Sequence, residues 1–237
     1  MQRRVLAVFT VLVVGGFLGF VPVQARQSAP QQTEVLRRRT GVPITALLKK
    51  GQQEVVVSKD QDPPLFAEPP NGMGQLEWMT QGSPYVVVAR VKGLKPSLTP
   101  TEDWISTTVL AEIEAVIKEP ERNSAGVGTT IEFPQDGGRM TISGVRVHAQ
   151  LPWATEFAVD EQYLLFARRD QPEGTWRVSH PASYRIGSDQ RLVSLARDVG
   201  TPSARPGMRS EDGVALGDAL ARIRQVKKTL LNPEHPL

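Results

Sequence analysis

Between Tyr85 and Val91 every residue but Arg90 is apolar, and the stretch separates into two sets. Val87, Ala89 and Val91 share one face, while Val86, Val88 and Arg90 share the other. Alternation of β-branched residues fits a strand with one wall in a core. Phe157 to Arg169 carries a second apolar run, Tyr163-Leu-Leu-Phe-Ala167. Trp104 to Lys118 satisfies two periods at once. As a strand it aligns Val109, Ala111, Ile113, Ala115 and Ile117, with Glu112 and Glu114 outward. As a helix it groups Val109, Leu110, Ile113, Val116 and Ile117, and periodicity alone does not choose.

The remaining pattern is shorter. Gly74 to Thr80 predicts a helix of one or two turns, ended by Gly82-Ser-Pro84. Thr129 to Phe133 reads as a strand, Asp136-Gly137-Gly138-Arg139 as a tight hairpin turn, and Met140 to His148 as one further alternating strand. Thr175 to Ser179, Ser183 to Ile186 and Arg191 to Leu195 are short strands. Leu216, Leu220, Ile223, Val226 and Leu230 mark one face of a C-terminal helix, for which Asp212 is the expected cap. Upstream, Glu34 to Lys50 reads as a solvated arm or a short helix broken at Pro43, and Glu54 to Ser58 as a short strand. Asp62-Pro-Pro64 and Glu68-Pro-Pro-Asn-Gly72 read as an extended linker.

The first residues change the picture from fold to location. Met1 to Arg4 is basic, Val5 to Val23 is apolar, and Val23-Gln-Ala25 has small residues where a signal peptidase reads. The expectation is export with cleavage before Arg26, placing the protein in the periplasm or outside the cell. The alternative is a retained anchor, disfavoured by Gly15, Gly16, Gly19 and Pro22. Cysteine is absent, which removes disulfides, thiolate metal sites and cysteine nucleophiles. The 19 prolines and 20 glycines favour turns over long helices. The leader holds two of the 28 basic residues and none of the 25 acidic ones, so the mature chain is close to neutral at +1. Such a chain exerts little long-range pull on nucleic acid or anionic lipid.

Three segments carry a resemblance: Tyr85-Val-Val-Val-Ala-Arg-Val91, Thr108 to Glu119 ending in Val-Ile-Lys, and Phe157-Ala-Val-Asp-Glu-Gln-Tyr-Leu-Leu-Phe166. With the Gly-Gly turn between the last two, the order resembles small exported bacterial proteins. Their core is an OB-like barrel, similar in shape to netrin modules and tissue inhibitors of metalloproteinases. The resemblance covers Leu76 to Leu195 and implies a strand for Trp104–Lys118. Metalloproteinase inhibition does not carry over, because those inhibitors place an N-terminal cysteine on the target zinc. Asp160 stands where such sequences carry a turn glycine.

The expected architecture is therefore mainly β: an OB-like small barrel with a short helix before its first strand and a C-terminal helix. Residues 1–25 are the signal peptide, 26–73 an arm and Pro-rich linker, 74–195 the barrel, 196–212 a linker, and 213–237 the helix and tail. No catalytic motif stands out. Gly-x-Ser-x-Gly, phosphate-loop and dinucleotide patterns are missing. His148, His180 and His235 lack the spacing of a metal site, and neither a cofactor nor a metal is expected; a site assembled in space from His148, His180 and a carboxylate is the exception to test. Asp160-Glu161 reads as a pair of solvated turn acids. The aromatic rings are assigned first to the core, with Arg90, Trp153, Tyr163, Arg168 and Trp176 as candidates for a binding face. The functional expectation is a non-catalytic binding or structural module of the cell envelope, its partner an envelope protein or glycan. It is not expected to bind nucleic acid or to span the membrane once the leader is removed. The alternative is an envelope hydrolase built from scattered Asp, Glu and His.

Overall fold

A computed structural model describes residues 34–59, 69–70, 72–120, 125–170, 174–196 and 211–231. The expected leader and cleavage site, residues 60–68 of the expected Pro-rich linker, His235 and most of the expected 196–212 linker lie outside the described residues. The chain is mainly β, arranged in two sheets with a C-terminal helix.

The larger sheet is built on β3 (Tyr85–Leu98), β4 (Ile105–Lys118) and β8 (Gln162–Arg169). Strands β5 (Thr130–Asp136), β10 (Tyr184–Ile186) and β11 (Leu192–Ser194) extend it in the order β11-β10-β8-β3-β4-β5. Strand β9 (Trp176–Val178) also pairs with β8, next to β10 on the same edge. Ile105–Lys118 is thus strand, which agrees with the strand the resemblance implied over Trp104–Lys118.

Both faces of the central strands are buried, not one. Val87, Ala89, Val91, Tyr163 and Leu165 enter a core shared with Val109, Ala111, Ile113 and Phe133. Val86, Val88, Leu164 and Phe166 enter a second core under α2 (Gln75–Gly82) and α3 (Leu216–Leu231). The expected solvent face is covered because the two helices lie across it. Lys118 fixes α2 by donating from Nζ to the Thr80 carbonyl, 2.6 Å away at the helix C-terminus, where a cation is favoured.

The expected single inward face of β4 does not run its whole length. Register shifts opposite Val88/Ala89 and Val86/Val87 mark β-bulges. Beyond Glu114 the faces exchange. Val116 packs on the first core, while Ala115 and Ile117 join the second.

The sheets are not closed into the expected barrel. Strands β5 and β9 come into contact without a ladder between them. Thr108 faces Pro134, and proline has no N–H to give β4, so its nitrogen faces the open edge of β5. A strand of only three residues on the other side, β9, does little to bridge that gap.

The smaller sheet corrects two expectations. Its order is β1-β2-β7-β6, from β1 (Glu34–Arg37), β2 (Glu54–Ser58), β7 (Val145–Gln150) and β6 (Gly138–Ile142). The expected arm is therefore part of the fold. β1 and β2 run parallel, β2 pairs in parallel with β7, and Ile44 at the start of a four-residue helix α1 (Ile44–Leu47) is fully buried. Ile44, Val55 and Val57 share a third core with Trp104, Ile105 and Val147. The hairpin turn is also displaced. Ser143 (φ 49°) and Gly144 (φ 81°) join β6 to β7, the paired positive φ of a two-residue hairpin. Gly137 (φ 93°) and Gly138 (φ 137°) instead carry the chain from one sheet to the other. A Cβ on Gly138 would lie 2.0 Å from Thr107 Oγ1, and one on Gly137 would lie 2.6 Å from the Ala149 carbonyl oxygen. The corner therefore needs glycine twice.

Candidate functional site: a groove at the corner between the sheets

The five candidates for a binding face do not come together. Tyr163 and Trp176 are buried in the first core, where the Trp176 ring meets Tyr85 edge-on at 4.7 Å. Trp153 is buried in the third core, its indole nitrogen without a partner among the described residues. Arg90 donates from Nε to Glu114 at 2.6 Å and from Nη1 to the Asp160 carbonyl at 2.7 Å. Arg168 is exposed and paired with Asp170 at 3.2 Å. The rings are consumed by packing, and the expected face gives way to three separate cores.

The histidines come closer to an arrangement. His148 Nε2 lies 2.6 Å from Glu156 Oε1, while Arg139 Nε approaches Glu156 Oε2 at 3.7 Å. His180 lies beneath them, stacked on Phe157 with ring centroids 4.9 Å apart and its Nε2 2.6 Å from the Thr155 carbonyl. That contact requires Nε2 to carry the proton. Burial holds the His180 pKa below the ordinary imidazole value, against the opposing pull of the Thr155 carbonyl and Glu156. Among the described residues, no three His, Asp or Glu side chains gather in a group able to hold a metal.

Glu156 and Arg139 border a groove of about 440 Å³, which is also lined by Leu94, Pro96, Thr107, Gln135, Gly138, Phe157, Ala158 and Val159. Five segments position it. β3 runs on past the end of β8 to present Leu94 and Pro96. The Gly137–Gly138 corner presents Arg139. The loop from Leu151 to Glu161 presents Thr155 to Val159, while β4 and β5 present Thr107 and Gln135. That loop is held firmly: Thr155 N donates to the Leu195 carbonyl at 2.7 Å, Ala158 N to the Tyr163 hydroxyl at 2.8 Å, and Asp160 N to the Val91 carbonyl at 2.8 Å. Asp160 itself adopts φ 67°, the left-handed conformation that a glycine would take at this turn and that aspartate tolerates.

Gln135 is the most informative lining residue. It is 2% exposed, and its Oε1 accepts the Phe157 N–H at 2.9 Å. That bond fixes which way the amide lies, and Nε2 is left without a protein partner among the described residues. This donor thus stands beside a groove that Thr107, Arg139, Thr155 and Glu156 also line. Thr107, also buried, spends its hydroxyl proton on the Gly137 carbonyl at 2.7 Å. The groove has no serine, cysteine or lysine in its lining.

None of Gln135, Arg139 or Glu156 was singled out by sequence. One signal was there: Pro96 and Pro134 fall inside strands, which confines both segments to sheet edges. No protein-family model matches this chain, and no curated protein matches it either.

Proposed function

We propose that this protein is an exported, non-catalytic binding module of the cell envelope, holding its ligand in the groove between Leu94 and Val159. The observation that carries this reading is the Gln135 carboxamide. Its Oε1 is held by the Phe157 N–H at 2.9 Å, so its Nε2 stands oriented for a ligand acceptor that would replace water there. Strands β3, β4, β5, β8 and β9 around one core are read as an OB-like barrel whose last seam is unlaced, with the groove at one end of it.

A protein segment is favoured over a glycan. Sugar sites use exposed aromatic faces, and among the described residues Phe157, Trp104, Trp153, Trp176 and all three tyrosines are buried. The test is affinity capture from envelope extracts by the mature protein and by Ala158→Trp, which fills the groove from an exposed position. A partner held by the wild type and lost by the variant is expected; identical sets from both would overturn the reading.

A hydrolase remains the second reading because His148 and Glu156 pair at the groove border. Its mark would be turnover of an envelope ester or peptide that disappears in Glu156→Gln while binding is kept.

A further inference from the structure

The part of β3 that borders the groove is an open sheet edge. β8 covers β3 only from Tyr85 to Arg90, whereas β4 accompanies it to Leu98. Pro96 stands opposite Thr107, and since proline cannot donate, that pair is of the type whose backbone groups point away from the ladder. Leu94 and Leu98 have the same parity, so the N–H and C=O of each point away from β4. The bond from Thr99 N to the Trp104 carbonyl, at 3.0 Å, agrees with this phase. The groove therefore offers an exposed strand edge at Leu94, the Gln135 Nε2 donor, and exposed apolar surface on Ala158 and Val159.

The border adds a charge preference. Glu156 is already engaged by His148 at 2.6 Å, and Arg139, 72% exposed, reaches it only at 3.7 Å. The Arg139 guanidinium is thus available to an incoming carboxylate.

We propose that the groove takes an extended peptide carrying an acidic side chain, added as a strand along Leu94–Leu98. One of its backbone carbonyls accepts from Gln135 Nε2, and its carboxylate pairs with Arg139. Main-chain hydrogen bonds give such an added strand its affinity, and alternate side chains give it specificity. The inference rests on reading the groove as the binding site and goes further by naming the ligand class and the mode of pairing.

The test is selection from a displayed library of random dodecapeptides against the mature protein. The selected peptides are then resynthesised with single N-methyl groups at successive backbone amides. N-methylation removes a pairing donor from the ligand and leaves the protein untouched. The expected result is enrichment of peptides with an acidic residue, weakened about three- to tenfold by methylation at alternate positions only. Arg139→Ala is expected to abolish the preference for the acidic residue, and Leu94→Pro, at an edge that already tolerates Pro96, to weaken every selected peptide. Failure to enrich any peptide, indifference to methylation at every position, or undiminished binding to Ala158→Trp would each overturn the inference. Binding of chitobiose in place of peptides would do the same. If an envelope partner is still captured by the wild type and lost by Ala158→Trp in those cases, the groove remains the binding site and only the peptide mode falls.

Discussion

At the scale of single residues, Asp103 and His180 show how this chain uses charge inside a cysteine-free fold. Asp103 is 1% exposed, and its Oδ2 accepts from Arg38 Nη2 at 2.8 Å and Gly41 N at 2.9 Å. Its Oδ1 accepts from Thr101 at 2.6 Å and Thr99 at 3.1 Å. The Thr101 hydroxyl, the Gly41 amide and Arg38 together outweigh burial and hold its carboxyl far below the usual carboxylate range. This pin ties the segment after β1 to the β3–β4 turn. Asp103→Ala is expected to cost about 3–5 kcal/mol in urea unfolding, because it leaves the Arg38 charge half-buried and three donors unpaired. His180 acts in the opposite direction. Its pKa is lower folded than unfolded, so the neutral ring is the form the fold prefers. Its contribution is complete above the unfolded value of about 6.5 and is lost as pH falls toward the folded value. Between about pH 7 and pH 5 the wild-type urea midpoint should fall, and His180→Gln should flatten that slope; equal slopes would contradict the assignment.

At the scale of elements, β4 shows what alternation predicts and where it stops. Ile113 is fully buried, as the strand reading requires, so Ile113→Asp is expected to cost more than about 4 kcal/mol. The two flanking acids are not equivalent. Glu112 is 41% exposed and meets Lys92 at 3.2 Å, whereas Glu114 sits at the bulge, bonded to Arg90 at 2.6 Å and also to Gln162. Glu112→Ala should change stability by less than about 0.5 kcal/mol and Glu114→Ala should lower it by about 1–2 kcal/mol, measured by thermal or urea unfolding. The alternation of Tyr85–Val91 and Tyr163–Ala167 was legible because strands repeat every two residues whatever lies beyond them. The bulge after Ile113 was not, because it exchanges faces without altering composition. Asp136–Arg139 looked like the stronger hairpin because two glycines permit positive φ; Ser143–Gly144 won because only there do the flanking strands pair. The arm was misread because its buried partners, Trp104 and Val147, are far away in sequence. Asp212 was expected to cap α3, but its carboxylate accepts the Ser194 N–H and the helix begins at Leu216.

At the scale of the molecule, the C-terminal helix is a working wall of the second core. Ala219, Ile223 and Val226 are buried and Leu216 and Leu220 pack beside them, while Leu230, on the expected face, is 48% exposed. Arg222 completes the attachment, bonding Glu77 of α2 at 2.5 and 2.8 Å and Glu211 at 2.6 and 3.0 Å. Arg222 holds the Glu77 pKa below its usual value, so this contribution is present above about pH 4 and fades as pH falls through the folded pKa. Ile223→Ala is expected to cost about 2–4 kcal/mol, and a variant of unchanged stability would mean that the helix does not dock. The groove was invisible in the chain because it joins Leu94 of one strand, Gln135 of another and Phe157 of a loop. The measurement that tests the central claim most directly is photocrosslinking in the cell, with a benzophenone side chain at Ala158 in the groove or at Val193, 38% exposed on β11. A discrete adduct to one envelope protein from position 158, and none from 193, is the predicted result; adducts from 193 alone would contradict it.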